Sequence, residues 1–205
     1  MFRKTLISLA LAATLAPGLA SAQSALATEG PWLVRVRATY LLNDNGNDPV
    51  LGLGQVEVQN KWIPEFDISY FFTDNIATEL VLTWPQKMDV TLGGTDIGSV
   101  KALPPTLMLQ YHFLPDAVFR PYAGVGVNYT NFSSRNFTIA GLSTSSSSWG
   151  PALQAGFDYQ IAPRWYINAD IKYVWMNTDV TLNGAKLTNV DINPWLFSVG
   201  IGYRF

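Results

Sequence analysis

Hydrophobic and polar positions alternate along most of this chain. Between Trp195 and Phe205 one face of an extended segment carries Trp195, Phe197, Val199, Ile201, Tyr203 and Phe205. The other carries Leu196, Ser198, Gly200, Gly202 and Arg204. Strand side chains point alternately to opposite faces, so this period predicts a strand with one apolar and one small or polar face. The apolar face is aromatic at both ends and aliphatic between them. A soluble sandwich would bury that face, whereas a membrane barrel turns it to lipid, with rings at both water interfaces. On the membrane reading the glycines keep the lumen open, and a chain closing on an aromatic residue leans the same way.

The alternation recurs. Trp32 to Leu41 sets Trp32, Val34, Val36, Ala38 and Tyr40 against Leu33, Arg35, Arg37 and Thr39. Further strands are predicted over 62–72, 76–84, 103–113, 120–132, 149–161 and 165–181, the last being the longest. Glu65, Asp67, Glu79, His112, Asp158, Asp170 and Lys172 fall on the polar faces, beside Arg204. Loops over 43–60, 85–101 and 133–148 are long, and 182–191 carries an Asn183-Gly184 hairpin signal. Turns at 73–75, 114–116 and 162–164 are short. A small hairpin is expected around Gly93-Gly94, and the run Ser143 to Ser148 reads as a flexible solvated segment. Eight strands with connections alternating long and short match a bacterial outer-membrane barrel, whose short turns face the periplasm. The expected fold is all-β, an eight-stranded antiparallel transmembrane β-barrel, closed so that no strand edge is left bare.

The start of the chain has a separate grammar. Arg3 and Lys4 precede an apolar run from Leu6 to Leu15, then Pro17, Gly18 and Ala20-Ser21-Ala22. This reads as a secretory signal peptide over 1–22, leaving a single barrel domain over 23–205. The apolar run is too short for a membrane anchor, which needs about 20 residues. Losing Arg3 and Lys4 takes the formal charge from −2 to −4, with no basic cluster to suit nucleic acid. Cysteine is absent, which excludes disulfides and thiol chemistry. Seven Trp, nine Tyr and eleven Phe are a heavy aromatic load without any spanning apolar run, as a membrane barrel requires. Trp32, Tyr40, Trp84, Trp165, Trp175, Trp195, Tyr203 and Phe205 are the expected membrane girdle. One histidine rules out a His-rich metal site, and its place at the short-turn end suits no outer-leaflet catalysis. No catalytic residue, metal or cofactor is expected.

An eight-stranded barrel has room inside only for side chains or one small ligand. Arg35, Arg37, Glu65, Asp67, Glu79, His112, Asp158 and Asp170 are therefore expected to pair across the lumen as a plug. Above them Val81, Leu103, Met108 and Val174 join apolar loop residues, among them Val50, Leu51, Leu53, Val56, Met88, Val90, Leu92 and Ile97. These suit either packing between loops or a hydrophobic entry funnel. Pro104 and Pro105 give the ladder no N–H, so they can only begin a strand or lie on an edge.

Particular strings go further. Thr73-Asp74-Asn75-Ile76 with Glu79-Leu80, Leu103-Pro104-Pro105-Thr106-Leu107 with Gln110-Tyr111-His112-Phe113, Arg120-Pro121-Tyr122-Ala123-Gly124, and Asn193-Pro194-Trp195 with Gly202-Tyr203-Arg204-Phe205 stand in order along the chain. The sequence thereby resembles the OmpW family, including its AlkL branch. The resemblance implies an outer-membrane barrel for passive uptake of small hydrophobic molecules, through a narrow apolar channel with lateral release into the membrane. Val81, Leu103, Pro104, Pro105, Met108, Lys172 and Val174 are the expected channel residues. Lys172 departs from the pattern: members can carry a bulky apolar side chain there, and this cation is expected to pair with Glu79 or Asp170. The expected partners are outer-membrane lipid and lipopolysaccharide, small hydrophobic ligands, and the assembly machinery through the C-terminal strand. The competing class is a structural or adhesive surface barrel whose loops bind a partner. A soluble lipid-binding barrel would need apolar inward faces, which the arginines and carboxylates oppose.

Overall fold

The alternating segments do form strands. In a computed structural model, which describes residues 29–46 and 54–205, they are β1 (Trp32–Leu42), β2 (Val56–Val58), β3 (Lys61–Phe71), β4 (Ile76–Thr83) and β5 (Gln86–Leu92). Next come β6 (Thr95–Leu103), β7 (Thr106–His112), β8 (Phe119–Phe137), β9 (Leu142–Thr144) and β10 (Ser147–Ala162). The last are β11 (Trp165–Val174), β12 (Asn177–Leu182), β13 (Ala185–Asp191) and β14 (Trp195–Arg204). The expected signal peptide and Val50, Leu51 and Leu53 lie outside the described residues.

Eight of these strands close an antiparallel barrel in the order β1, β3, β4, β7, β8, β10, β11, β14 and back to β1. The closing pair β14–β1 matches Val34 with Tyr203 and Ala38 with Val199. Its end is sealed by mutual backbone hydrogen bonds between Trp32 and Phe205. Alternation decides the faces: Val36, Val125 and Val199 are more than half exposed on the outside, while Arg35, Asp67 and Glu79 are fully buried inside. This is the lipid-out, polar-in pattern of a membrane barrel.

The inward glycines do not leave open space. A Cβ at Gly200 would lie 2.8 Å from Cγ of Arg37, and one at Gly202 would lie 3.1 Å from Cγ of Arg35. Both glycines face β1 in register, Gly200 with Arg37 and Gly202 with Arg35, so they make room for the arginine stems.

The long connections are structured too. β5 and β6 form a hairpin turning at Gly93 (φ 55°) and Gly94 (φ 81°), and β2 pairs with β5. β6 runs along the upper part of β8, from Leu103 beside Asn131 to Gly98 beside Phe137. A separate sheet, β13–β12–β9, turns at Asn183 (φ 49°) and Gly184 (φ 84°). Positive φ at both central positions matches the right-handed strand twist, which is why Asn-Gly and Gly-Gly serve there.

Four boundaries depart from the sequence reading. The segment 133–148 is no loop: β8 continues to Phe137, making it the longest strand, and Ser148 is buried in β10. The supposed flexible serines 143–148 include β9 and the start of β10. The seventh barrel strand ends at Val174, and β12 leaves the barrel to pair with β13 and β9. Leu103 ends β6, so the fourth barrel strand begins only at Thr106. At Val174 and at Leu103 alternation runs through the junction unbroken and the change lies in which neighbour the backbone pairs with, whereas beyond Phe132 it is interrupted where β8 shifts register against β6.

Candidate functional site

Inside the barrel the chemistry changes abruptly at one height. Seven of the eight barrel strands carry an apolar residue one inward step toward the long-loop end from a polar one, Leu41 above Thr39 on β1 among them, whereas β8 has Asn128 and Thr130 buried above Gly126. Ile63 stands above Glu65, Val81 above Glu79, Met108 above Gln110, Ala152 above Gln154, Val174 above Lys172 and Leu196 above Ser198, all buried. Between β10 and β11 the steps are level in the ladder, Ala152 with Val174 and Gln154 with Lys172, whereas β11–β14 and β4–β7 offset them by one inward residue, pairing Lys172 with Leu196 and Glu79 with Met108. The result is a boundary between a mainly apolar upper chamber and a charged lower one.

The charged layer is densely paired. Arg35 holds Asp158 through two bonds, Nε to Oδ1 at 3.1 Å and Nη2 to Oδ2 at 2.6 Å. Its Nη1 reaches Glu79 at 2.8 Å, Ser69 at 2.9 Å and Asp67 at 3.1 Å. Arg37 donates to Glu65 at 2.8 Å and Glu79 at 3.1 Å. Lys172 binds Asp170 at 2.5 Å and Glu65 at 3.0 Å. Of the two partners expected for it, Asp170 is the one it meets directly; Glu65 replaces Glu79.

Neutral groups knit these pairs together. Gln154 donates to Glu79 at 2.9 Å and Asp170 at 2.8 Å, and accepts from Gln110. The Tyr122 hydroxyl donates to Asp170 at 2.9 Å, and Asn168 donates to Asp158 at 2.9 Å. His112 joins only at the margin, against Gln110 at 3.2 Å, with its ring between Phe71 and Tyr122. A charge count along the sequence passes over Tyr122, Gln154 and Asn168, because their role lies in bridging groups that the fold brings together: Gln154 joins Glu79 to Asp170, and Asn168 joins Asp158 to the Tyr122 hydroxyl. Buried ions need such complete pairing, since each unpaired one is heavily penalised.

Above this layer lie two apolar cavities. The larger, about 180 Å³, sits between the hairpin β5–β6, the upper part of β8 and the β13–β12–β9 sheet, with Val90, Ile97, Phe137, Val180 and Val190 on its walls. The smaller, about 30 Å³, lies deeper against Leu41, Ile63, Ala102, Pro104 and Met176. Val58, Val100, Phe132 and Ile192 border both, so the two are adjacent. Val81, Met108 and Val174 belong to the same buried apolar cluster. Leu103, Pro104 and Pro105 are half-buried, and Pro104 alone of them lines a cavity. Lys172 is not brought to the cavities; its side chain is held in the charged layer.

A seam opens in the wall beside Pro104. The β4–β7 ladder ends at Val81 with Thr106, and pairing resumes only at Gln86 with Ala102 in β5–β6. Residues 82–85 and 103–105 therefore have no ladder partners across this seam. Pro85, Pro104 and Pro105 supply no N–H there. On the other side Pro105 remains tied to the barrel, its carbonyl accepting from Tyr129 N–H at 3.0 Å.

The short-turn mouth is clamped by Glu29, which precedes β1. Arg120 donates to it at 2.6 Å and Arg204 lies 3.1 Å away, while the Tyr166 hydroxyl also donates to it. Arg204 stacks over Phe71 and donates to the Gly30 carbonyl. Burial pulls the Glu29 carboxyl upward, but its hydrogen bonds to Arg120 and Tyr166, with the nearby cations, hold it below the usual carboxylate range. The clamp is thus complete above the ordinary carboxylate pKa of about 4.3 and is lost as pH falls through the lower folded value. Glu29→Gln is expected to speed hydrogen exchange of the Trp32 and Phe205 amides roughly tenfold at neutral pH, the equivalent of about 1.4 kcal/mol. Acidification below the folded pKa should bring the native chain's protection, taken relative to the intrinsic exchange rate at each pH, down to the variant's level.

Aromatic residues ring both ends of the barrel in contacting sets. Trp32 meets Tyr70, and Trp165 meets Tyr203, which stacks on Phe205, at the short-turn end. Tyr40 meets Trp62, Tyr129 meets Trp149, and Tyr173 contacts both Trp175 and Trp195 at the other. Trp84 is strongly exposed beside the seam. Trp62 and Trp149 extend the expected girdle; each stands next to a ring on the neighbouring strand.

Comparison with known proteins agrees with this architecture. The model of the OmpW family matches residues 26–205. Outer membrane protein W of Vibrio cholerae is 36% identical, over 99% of this chain and all of that protein. The dibenzothiophene metabolism operon protein PahQ of Pseudomonas aeruginosa is 28% identical, over 87% of this chain and 90% of its own. Among solved structures, the crystal structure of the outer membrane protein OprG from Pseudomonas aeruginosa superposes with a TM-score of 0.73 at 28% identity, covering 86% of this chain and 97% of that one. The chain is an outer-membrane β-barrel and belongs to the OmpW family.

Proposed function

We propose that this barrel passively admits small hydrophobic molecules from outside the cell and releases them sideways into the outer membrane. The observation that carries the reading is the pair of adjacent apolar cavities lying above a paired charge layer. An apolar molecule gains by entering the first, whereas passing the second would mean breaking buried ion pairs. The seam gives the alternative exit: it adjoins the deeper cavity through Pro104 and interrupts the ladder of the barrel wall. The name of the PahQ relative points the same way for that protein, since dibenzothiophene is an apolar aromatic molecule. Whole cells with and without the protein would be compared for entry of a labelled alkane or fatty-acid ester, beside a glucose-sized polar solute. The expected result is several-fold faster entry of the apolar probe alone. Equal gains for both solutes would indicate a water-filled pore and overturn the proposal.

A further inference from the structure

The larger cavity is not uniformly apolar. Two threonines stand on its wall, Thr144 at the end of β9 and Thr178 on β12. The strands are paired, Thr144 lying opposite Val180, so the two threonines are diagonal neighbours on one sheet. Thr178 is 8% exposed, and the Oγ1 atoms of both are buried with no hydrogen-bond partner among the described residues. A buried hydroxyl without a partner is costly, and native structures keep few of them. The deeper cavity repeats the feature once. Asn43, 7% exposed, lines it and donates its amide N–H to the carbonyls of Val58 and Gln59, while its Oδ1 has no partner among the described residues.

These three atoms define a chemistry. A threonine hydroxyl can donate or accept, but the Asn43 oxygen only accepts. A molecule satisfying both stations in turn needs a group that also does both, carried on an apolar body. The groups are neutral, and among the described residues no charged side chain lines the larger cavity, so a carboxylate or ammonium would be buried unpaired there. Size sets the remaining limit: a cavity of about 150 Å³ holds benzene, so 180 Å³ suits one ring with a small substituent. We propose that the cavity selects neutral, singly hydroxylated hydrophobic molecules, of the size of an alkylphenol, over hydrocarbons of the same shape, by hydrogen bonding to Thr144 and Thr178. The inference rests on the uptake reading and narrows its substrate class.

The test uses the full barrel in lipid nanodiscs and an isosteric pair, p-cresol and p-xylene, which differ by a hydroxyl in place of a methyl. Binding is read from methyl NMR shifts of Val180 and Val190, with partition into empty nanodiscs subtracted. Roughly tenfold tighter binding of p-cresol is expected, a difference of one good hydrogen bond. Thr144→Val with Thr178→Val keeps side-chain shape and should abolish that preference while retaining p-xylene binding. Thr178→Ser combined with Thr144→Ser, which retains both hydroxyls, should keep it. Equal affinity for both probes in the native barrel, or an undiminished preference in the folded double variant, would overturn the selectivity while leaving a hydrophobic cavity. Binding of neither probe would overturn the cavity reading as well.

Discussion

Replacing Arg35 with leucine is expected to destabilise the barrel by about 3–5 kcal/mol, the usual consequence of leaving buried ions without a partner. Arg35 is fully buried and meets Asp67, Glu79 and Asp158, carboxylates from three different strands. Removing it leaves Asp158 with Asn168 alone among its direct partners and loosens Glu79, which then depends on Arg37 and Gln154. Arg35→Lys should fall between, because an ammonium cannot reproduce the paired bonds to Asp158. Urea unfolding in lipid vesicles, followed by tryptophan fluorescence, gives the comparison. A loss below about 1 kcal/mol for the leucine variant, the range of solvent-exposed pairs, would mean that water reaches the layer and the lumen is not closed.

That network also shows how far local pattern reaches. Alternation alone placed the charges on inward faces, since a strand offers a residue only two directions. It did not give their height, which depends on register between strands distant in sequence. Lys172 illustrates the point. It is one inward step from Val174, and only the alignment with Gln154 on β10 shows that the polar boundary runs between the two. Glu29 was equally silent, because its partners Arg120 and Arg204 are distant along the chain.

The upper structure was legible in part. Val56, Val58, Met88, Val90 and Ile97 are apolar positions in segments read as loops, yet the first two and the next two are spaced by two, the mark of a half-buried strand. Their flanking Asn, Asp and Gly pulled the reading toward loop. The breaks at Trp175 and at Pro104 differ in kind. At Trp175 nothing in the sequence marks the change of partner, whereas at Pro104 the missing donor marks it plainly. The partnerless hydroxyls of Thr144 and Thr178 had no sequence signal at all, because an orphaned group is defined by its surroundings.

The seam yields the largest functional effect. Pro104→Thr combined with Pro105→Val is expected to lower apolar uptake to the level of cells lacking the protein, while the urea midpoint stays unchanged or rises. Extending the register of Val81 with Thr106 would set Leu82 against position 105 and Thr83 against position 104. The upper register is offset from it by one residue, so Pro85 is left as the bulged residue. The carbonyl of Pro105 already accepts from Tyr129 on β8, and the N–H and carbonyl of one strand residue point the same way. Position 105 therefore faces β8, and position 104 faces the seam. Pro104→Thr alone should accordingly do most of the closing, with Pro105→Val a near-silent control. Unchanged uptake in the folded double variant would remove the lateral exit, because a molecule held above the charge layer would then be leaving through some part of the wall other than this one.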